Sequence, residues 1–329
     1  MATKKATTSK NRRGRKVRAR DGDFDANDAI NPSSDHKMPW FGWLGLAIMI
    51  LSEIALWGGF HPAAIAFTPI MWTGYILLVD GWIWVRGYKS LFKSAKLEWP
   101  MLALFSILIW VMFEVFNFSA QAWWYQNIPP NPLVKAVVFA WAYATIIPAL
   151  LRTRSLFATF DFFDRSHPWN IKFTPFWLAV SFVVGLAFTF IPVMFEHYTA
   201  NLLVPFVWLG FIFLIEPINY RIGAPSVFRD LEDGKVSFFW QTLAAGLFCG
   251  LLWETWNIQA AFGTHNGLIW NYNLNKFYHI HIAGRDLMIG KMPILGFLGY
   301  PPFIWECFAL WELIKWTMHG DTLWKTAKA

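Results

Sequence analysis

Residues 68–81 read TPIMWTGYILLVDG, and residues 204–217 read VPFVWLGFIFLIEP. The two stretches align without a gap at a spacing of 136 residues, and they share residue types that unrelated apolar segments seldom share in order. The matched pairs are Pro69 with Pro205, Trp72 with Trp208, Gly74 with Gly210 and Asp80 with Glu216. The first prediction from this sequence is therefore an internal repeat.

The repeat extends in both directions. The same register pairs His61 with His197 and carries on through the short segment that follows residue 81. After a four-residue insertion, FEVFN at 113–117 matches WETWN at 253–257. We interpret residues 39–150 and 173–317 as two homologous halves. Each half is predicted to contain four spans, so both halves enter the membrane from the same side, and the repeat is parallel about an axis along the membrane normal.

Apolar runs of about 20 residues predict the fold class. The chain is 56% hydrophobic and only 15% charged. A bilayer leaves no water for backbone N–H and C=O groups, so such runs must form helices. The sequence thus predicts an all-α polytopic integral membrane protein with about eight spans. They are expected near 39–57, 65–85, 100–122, 133–150, 173–194, 202–219, 237–258 and 293–317.

The basic residues predict the orientation. If alternate connections are assigned to alternate sides, 24 of the 28 Lys and Arg residues fall on one side and 4 on the other. This distribution predicts that both termini lie in the cytoplasm. On this side we place a disordered basic tail at 1–38, a linker at 151–172 and the C-terminus at 318–329. The compact loops favour the bacterial inner membrane.

Because the basic tail lies beside a membrane span, we predict that it contacts anionic membrane lipids. We expect no nucleic-acid partner. Other membrane subunits remain a second class of partner. The sequence indicates no particular cofactor.

Carboxyl groups within spans are costly and thus mark candidate sites. The clearest are Glu114 and Glu254, because both halves have one and each is followed three residues later by Asn117 or Asn257. A spacing of three places a carboxyl and an amide on one helix face. Together they could bind a polar ligand head, relay a proton or solvate a cation. The structural alternative is that they form hydrogen bonds between helices.

Two histidines and three further polar residues complete the candidates. His61 and His197 are predicted at the same membrane side as the two Glu–Asn pairs, where they could hold a divalent metal, support acid–base chemistry, or have no function. We predict no metal site. The secondary candidates are Glu216, Asn219 and Glu306. Glu216 and Asp80 are expected near water, more as structural ties than as ligands.

Two further features lie before the last span. His265, His279 and His281 fall in a long loop, but their spacing is only weakly suggestive of a metal. GKMPILGFLGYPPF at 290–303 is too rich in glycine and proline for a regular lipid-facing helix. It predicts either a broken, re-entrant segment or a loop that leads into a helix.

The leading functional hypothesis is a protein that binds an apolar ligand, namely a lipid, isoprenoid, carotenoid or quinone, between the two halves. Chemical modification of that ligand is an extension of the same hypothesis. Its basis is the aromatic content of 19% together with the repeated Glu–Asn pairs. The alternatives are a secondary transporter, because repeated halves are a transporter architecture, and a non-catalytic subunit of a complex that carries haem or pigment.

The predicted orientation can be tested by cysteine labelling in a variant without Cys249 and Cys307. An impermeant thiol reagent should label a cysteine placed between 265 and 285 in intact cells, and should not label one at 88 or 228. All of these positions should react after permeabilisation, which controls for buried sites. Labelling at 88 in intact cells would contradict the orientation.

Overall fold

The computed structural model describes residues 36–94, 98–163, 171–262 and 266–319. The predicted tail lies outside them except for its last three residues, as do His265 and the chain beyond residue 319. The described chain is mostly helical. Its α-helices are α1 Trp40–Trp57, α2 His61–Ile65, α3 Phe67–Val85, α4 Leu91–Ser94, α5 Glu98–Ala120, α6 Pro132–Ala158, α7 Pro175–Phe190, α8 His197–Ile222, α9 Val227–Glu232, α10 Ser237–Ala261, α11 Ile294–Phe297 and α12 Tyr300–His319.

Within the described ranges, six segments are long and apolar enough to cross a membrane, which indicates an integral membrane protein. They are Trp40–Trp57, Glu98–Ala120, Pro132–Ala158, Pro175–Met194, His197–Ile222 and Ile294–Met318. Their outward faces carry large apolar side chains, such as Phe118, which is 86% exposed, and Leu133, which is 72% exposed. Apolar side chains of this size facing outward match a lipid solvent.

The two other long helices, α3 and α10, coincide with the remaining predicted runs. Much of each helix is buried inside the bundle, including polar residues such as Asp80 in α3 and Gln241 in α10. A helix that faces protein rather than lipid can carry such residues, because neighbouring helices supply the hydrogen-bond partners.

Short strands join the loops at one end of the bundle, a feature that the all-α prediction lacked. They are β1 Trp123–Gln126, β2 Ile269–Tyr272, β3 His281–Ile282, β4 Arg285–Asp286, β5 Met288–Ile289 and β6 Met292–Pro293. β1 and β2 pair antiparallel, with Trp123 opposite Tyr272 and Tyr125 opposite Trp270. β1 follows α5 and β2 follows α10, so this ribbon joins the two predicted halves.

The segment at 290–303 is broken, as its glycines and prolines predict. The short helix α11 ends before Leu298 and Gly299, and α12 begins at Tyr300. Pro301 and Pro302 lie in the first turn of α12, where the missing N–H groups cost no helical hydrogen bond. The segment therefore leads into α12 through one helical turn and a break.

Glycines allow the closest helix contacts. A Cβ atom at Gly185 in α7 would lie 2.3 Å from the backbone nitrogen of Leu214 in α8. A Cβ atom at Gly45 in α1 would lie 2.4 Å from the carbonyl oxygen of Gly74 in α3. Small residues let backbones approach in this way when lipid supplies little hydrophobic driving force.

Gly185→Ala should therefore force α7 away from α8. We expect it to lower the free energy of unfolding by about 1–3 kcal/mol, since backbone atoms cannot move aside as a side chain can. Thermal unfolding in detergent measures the effect. The matched control is Val183→Ala in the same helix, because Val183 is 62% exposed and its change should stay within about 0.5 kcal/mol. Equal effects of the two substitutions would refute the close contact.

Candidate functional site

Each Glu–Asn pair lies one or two turns before the end of its helix, next to the β1–β2 ribbon. Asn117 donates through Nδ2 to the carbonyl oxygen of Trp123 at 2.9 Å, and its Oδ1 accepts from the backbone N–H of Ala122 at 2.8 Å. Asn257 donates to the carbonyl oxygen of Trp270 at 2.9 Å and accepts from the N–H of the same residue at 3.1 Å. Each asparagine thus binds the backbone at the strand that follows it, and this contact matches the structural alternative for the amide.

Glu114 is the acceptor for a cluster of aromatic donors. Its Oε1 atom accepts from Tyr125 OH at 2.5 Å, Trp110 Nε1 at 2.8 Å and Trp123 Nε1 at 3.2 Å. Tyr143 OH is 3.3 Å from the same oxygen. The carboxyl therefore links its own helix α5 to strand β1 and to helix α6.

Glu254 has partners at corresponding positions. Its Oε1 accepts from Tyr272 OH at 2.7 Å and from Tyr300 OH at 3.2 Å, and its Oε2 accepts from the backbone N–H of Lys291 at 2.9 Å. Tyr272 lies in β2 and Tyr300 at the start of α12. Glu254 is thus bound, like Glu114, by one tyrosine from the adjacent strand and one from the next long helix.

The tyrosines of the two strands keep their donor hydrogens. Burial raises the pKa of the Tyr125 phenol well above its ordinary value, and the neighbouring Glu114 raises it further. Burial also raises the pKa of the Tyr272 phenol, with Tyr300 and Glu254 as further causes. Both phenols stay neutral at physiological pH, so each can donate to its carboxyl oxygen.

A large cavity lies beside these hydrogen bonds. Its volume is about 1360 Å³ when the space open to solvent is included. Six tryptophans line it, namely Trp72, Trp110, Trp123, Trp208, Trp253 and Trp270, with five tyrosines, namely Tyr125, Tyr143, Tyr272, Tyr278 and Tyr300. Several of these residues are the donors to Glu114 and Glu254. The carboxyls therefore lie directly behind the cavity wall.

The wall repeats the pattern found in the sequence. Pro69 and Trp72 of α3 face the cavity together with their partners Pro205 and Trp208 of α8. The strands contribute Trp123 with Trp270 and Tyr125 with Tyr272, and α6 and α12 contribute Tyr143 with Tyr300. Corresponding residues of both predicted halves thus border a single cavity.

The two histidines lie apart from these hydrogen bonds. His61 is the exposed first residue of α2. His197 is the exposed first residue of α8, and its Nδ1 lies 3.3 Å from the carbonyl oxygen of Ser119. Among the described residues, neither imidazole is bonded to Glu114 or Glu254.

The secondary candidates belong to the opposite end of the bundle or to its interior. Glu216 accepts from Ser226 Oγ and Trp305 Nε1, each at 2.7 Å. Its counterpart Asp80 accepts from Ser90 Oγ at 2.5 Å and pairs with Arg152 Nε at 3.2 Å. Both carboxyls are completely buried, although the sequence led us to expect them near water. They are shielded because the short helices α4 and α9 fold back over them.

Asn219 and Glu306 differ in how their polar atoms are satisfied. Asn219 donates to the carbonyl oxygen of Ala309 at 2.9 Å and so ties α8 to α12. Glu306 is completely buried next to Cys307, and neither carboxyl oxygen has a hydrogen-bond partner among the described residues.

The histidines of the last loop meet an aspartate. His279 Nδ1 lies 2.7 Å from Asp286 Oδ2, and His281 also contacts this carboxyl. The hydrogen bond from His279 holds the pKa of Asp286 below its ordinary value. Within the described ranges, no group of three or more His, Cys, Asp or Glu side chains is placed to hold a metal ion.

Comparison of the chain with known protein families, with curated proteins and with solved structures found no match. The site must therefore be interpreted from its own geometry.

Sequence reasoning did not single out the tyrosines that bind the two carboxyls. A signal was available, because Trp123-x-Tyr125 and Trp270-x-Tyr272 each follow a Glu-x-x-Asn pair. The partnership of Tyr143 with Tyr300 is harder to detect, since their spacing of 157 residues differs from both spacings of the repeat.

Asn257→Ala should destabilise the protein. The substitution leaves the backbone N–H and C=O of Trp270 without their buried partner, at a cost of about 1–3 kcal/mol. Unfolding in detergent gives the loss, and faster amide exchange at β2 would locate it. The control is Thr255→Ala, since Thr255 is exposed and its hydroxyl donates to the carbonyl oxygen of Leu251 in the same helix at 2.7 Å. Unchanged exchange at β2 would contradict the assigned role of Asn257.

Proposed function

We propose that this protein binds an apolar ligand, of the lipid, isoprenoid, carotenoid or quinone class, in the cavity between two homologous halves. The observation that carries the proposal is the wall of that cavity. All of its residues are apolar, aromatic or small except Thr68, and they surround about 1360 Å³ including the open part. Ligand sites usually combine an apolar wall with a few polar groups.

The hydrogen-bonded carboxyls support a site rather than a chance void. Glu114 and Glu254 are costly inside a membrane bundle, and each orients tyrosine side chains that face the cavity. Side chains that are locked by a second layer of hydrogen bonds make a preorganised surface. In this proposal the wall is held in place by two pairs of residues, Glu114 with Asn117 and Glu254 with Asn257. His61 and His197 would lie outside the wall.

The proposal includes two parallel four-span halves. This part is supported by two matching contacts, of Asp80 with Ser90 and of Glu216 with Ser226. The two acidic residues and the two serines are each separated by 136 residues, which is the spacing of the sequence repeat. The helices α3 and α10 would complete eight spans. The basic residues favour cytoplasmic termini, and we keep the bacterial inner membrane as the proposed location.

A transporter is the second candidate, because two halves that share one cavity could alternate its access. The distribution of charge argues for a binding protein instead. The buried ionic groups Asp80 and Arg152 lie at the end of the bundle opposite the cavity. Proteoliposome flux coupled to a proton or sodium gradient would favour the transporter.

The binding proposal predicts a stoichiometric apolar compound in purified protein. Extraction with organic solvent and mass spectrometry should recover about one molecule per chain. Ala142→Phe should lower this occupancy severalfold, because Ala142 lines the cavity and a phenyl group would fill part of it. An absorption spectrum before extraction would reveal haem or carotenoid directly.

The matched control is Leu186→Phe, which adds aromatic bulk at a site that is 39% exposed on α7. It should leave the occupancy unchanged. If no apolar compound is recovered from the wild-type protein, the binding proposal fails.

A further inference from the structure

The charged side chains near the cavity lie behind its wall. No Lys, Arg or His is among the described residues that line it, whereas Glu114 and Glu254 lie immediately behind the wall. The nearest basic side chain in this hydrogen-bond network is Lys291, whose Nζ is bound to Asn271 Oδ1 at 2.7 Å. The wall therefore offers no basic partner to an anionic ligand head, whereas a carboxylate at Glu114 or Glu254 would attract a cation.

The wall itself is a continuous surface of aromatic rings. The ring centroids of Trp110 and Trp123 are 6.0 Å apart, those of Trp123 and Trp208 are 6.1 Å apart, and those of Trp208 and Phe303 are 5.5 Å apart. The ring centroids of Phe303 and Trp110 are 5.9 Å apart, so each of these four rings lies next to two of the others. Ring faces carry partial negative charge, and tryptophan attracts cations most strongly.

The ring surface extends across both halves. The ring centroid of Trp253 lies 5.6 Å from that of Trp110, 5.8 Å from that of Trp72 and 5.7 Å from that of Trp270. A ligand in the cavity would thus meet indole rings from each half.

The carboxyls also act on the rings. Trp110 and Trp123 donate their indole N–H groups to Glu114, and Tyr272 and Tyr300 donate their hydroxyls to Glu254. A ring that donates a hydrogen bond to a carboxylate gains electron density, because hydrogen-bonded groups polarise one another in a medium of low dielectric. This arrangement strengthens the attraction of the ring faces for a cation.

The lining of the cavity favours one kind of cation. A primary ammonium group has three N–H donors that need acceptors, but the described side chains that line the cavity include no carboxyl or amide oxygen. A quaternary ammonium group has no N–H to satisfy, and its methyl groups fit against ring faces.

We infer that the cavity recognises a quaternary ammonium group as the head of its ligand, through the ring faces of the wall with Glu114 and Glu254 as the source of negative charge. This inference rests on the proposed ligand cavity and specifies the ligand class within it. Two sources share this chemistry, namely a small molecule such as choline and a phosphatidylcholine-type lipid whose chains occupy the apolar part.

The test compares choline with 3,3-dimethyl-1-butanol, which has the same shape but carbon in place of the charged nitrogen. Quenching or enhancement of tryptophan fluorescence reports binding to protein in dodecyl maltoside. We expect choline to bind at least about tenfold more tightly, the size of a desolvated cation–π contribution. Equal affinities would overturn the inference while leaving the apolar-ligand proposal intact. If neither compound binds and solvent extraction recovers no apolar compound, both proposals fail.

Short-chain lipids distinguish the two sources. Dihexanoylphosphatidylcholine should bind more tightly than choline if the natural ligand is a lipid, and no more tightly if it is a small cation. Either result supports the inference, provided that dihexanoylphosphatidylglycerol binds more weakly than dihexanoylphosphatidylcholine. The reverse order would overturn it.

Variants test the contributions of the carboxyls and of the aromatic rings separately. Glu114→Gln combined with Glu254→Gln should remove the preference for choline over its neutral isostere, whereas Glu216→Gln, at the other end of the bundle, should keep it. Trp208→Leu should weaken choline binding severalfold, and Trp208→Phe, which keeps an aromatic face, should weaken it less. If choline retains its full preference in the folded double Gln variant, the carboxyls have no part in recognition and the inference is wrong.

Discussion

The hydrogen bonds between two carboxyls and aromatic side chains organise one end of this molecule. Within a membrane bundle no water is at hand to solvate Glu114 or Glu254, so each must find its donors inside the protein. Tyrosine and tryptophan are suited to this task, because each combines a large apolar ring with a single polar donor. The carboxyl can thus be satisfied without bringing further charge into the interior, and the rings that satisfy it become the wall of the cavity.

These bonds also explain why strands occur in a helical bundle. A loop that leaves α5 or α10 carries backbone groups that need partners near the membrane. Asn117 and Asn257 satisfy some of them, and the antiparallel pairing of β1 with β2 satisfies others. Because one strand follows each helix, the ribbon joins the regions that hold the two carboxyls.

The two sites correspond without being identical. Trp110, which donates to Glu114, aligns with Gly250, where an added Cβ atom would lie 2.6 Å from the ring of Tyr300. Tyr300 therefore occupies space that a larger residue at 250 would fill, and Glu254 receives a backbone N–H from Lys291 in place of the indole donors. The difference places more indole donors around Glu114, so the cavity has two unequal sides.

Much of the fold could be predicted from the sequence alone. The apolar runs located every long helix of the described residues, because backbone satisfaction in lipid leaves few alternatives. The pairing of Glu-x-x-Asn at 114–117 with that at 254–257 pointed to side chains that lie beside one aromatic-lined cavity. The sequence could not show that the asparagines bind strand backbone, that Asp80 is covered and paired with Arg152, or that tyrosines distant along the chain meet the carboxyls. Those contacts depend on how helices and loops pack in three dimensions. Hydropathy reports the solvent that each segment prefers, whereas the partner of a buried polar atom is decided only when the chain has folded.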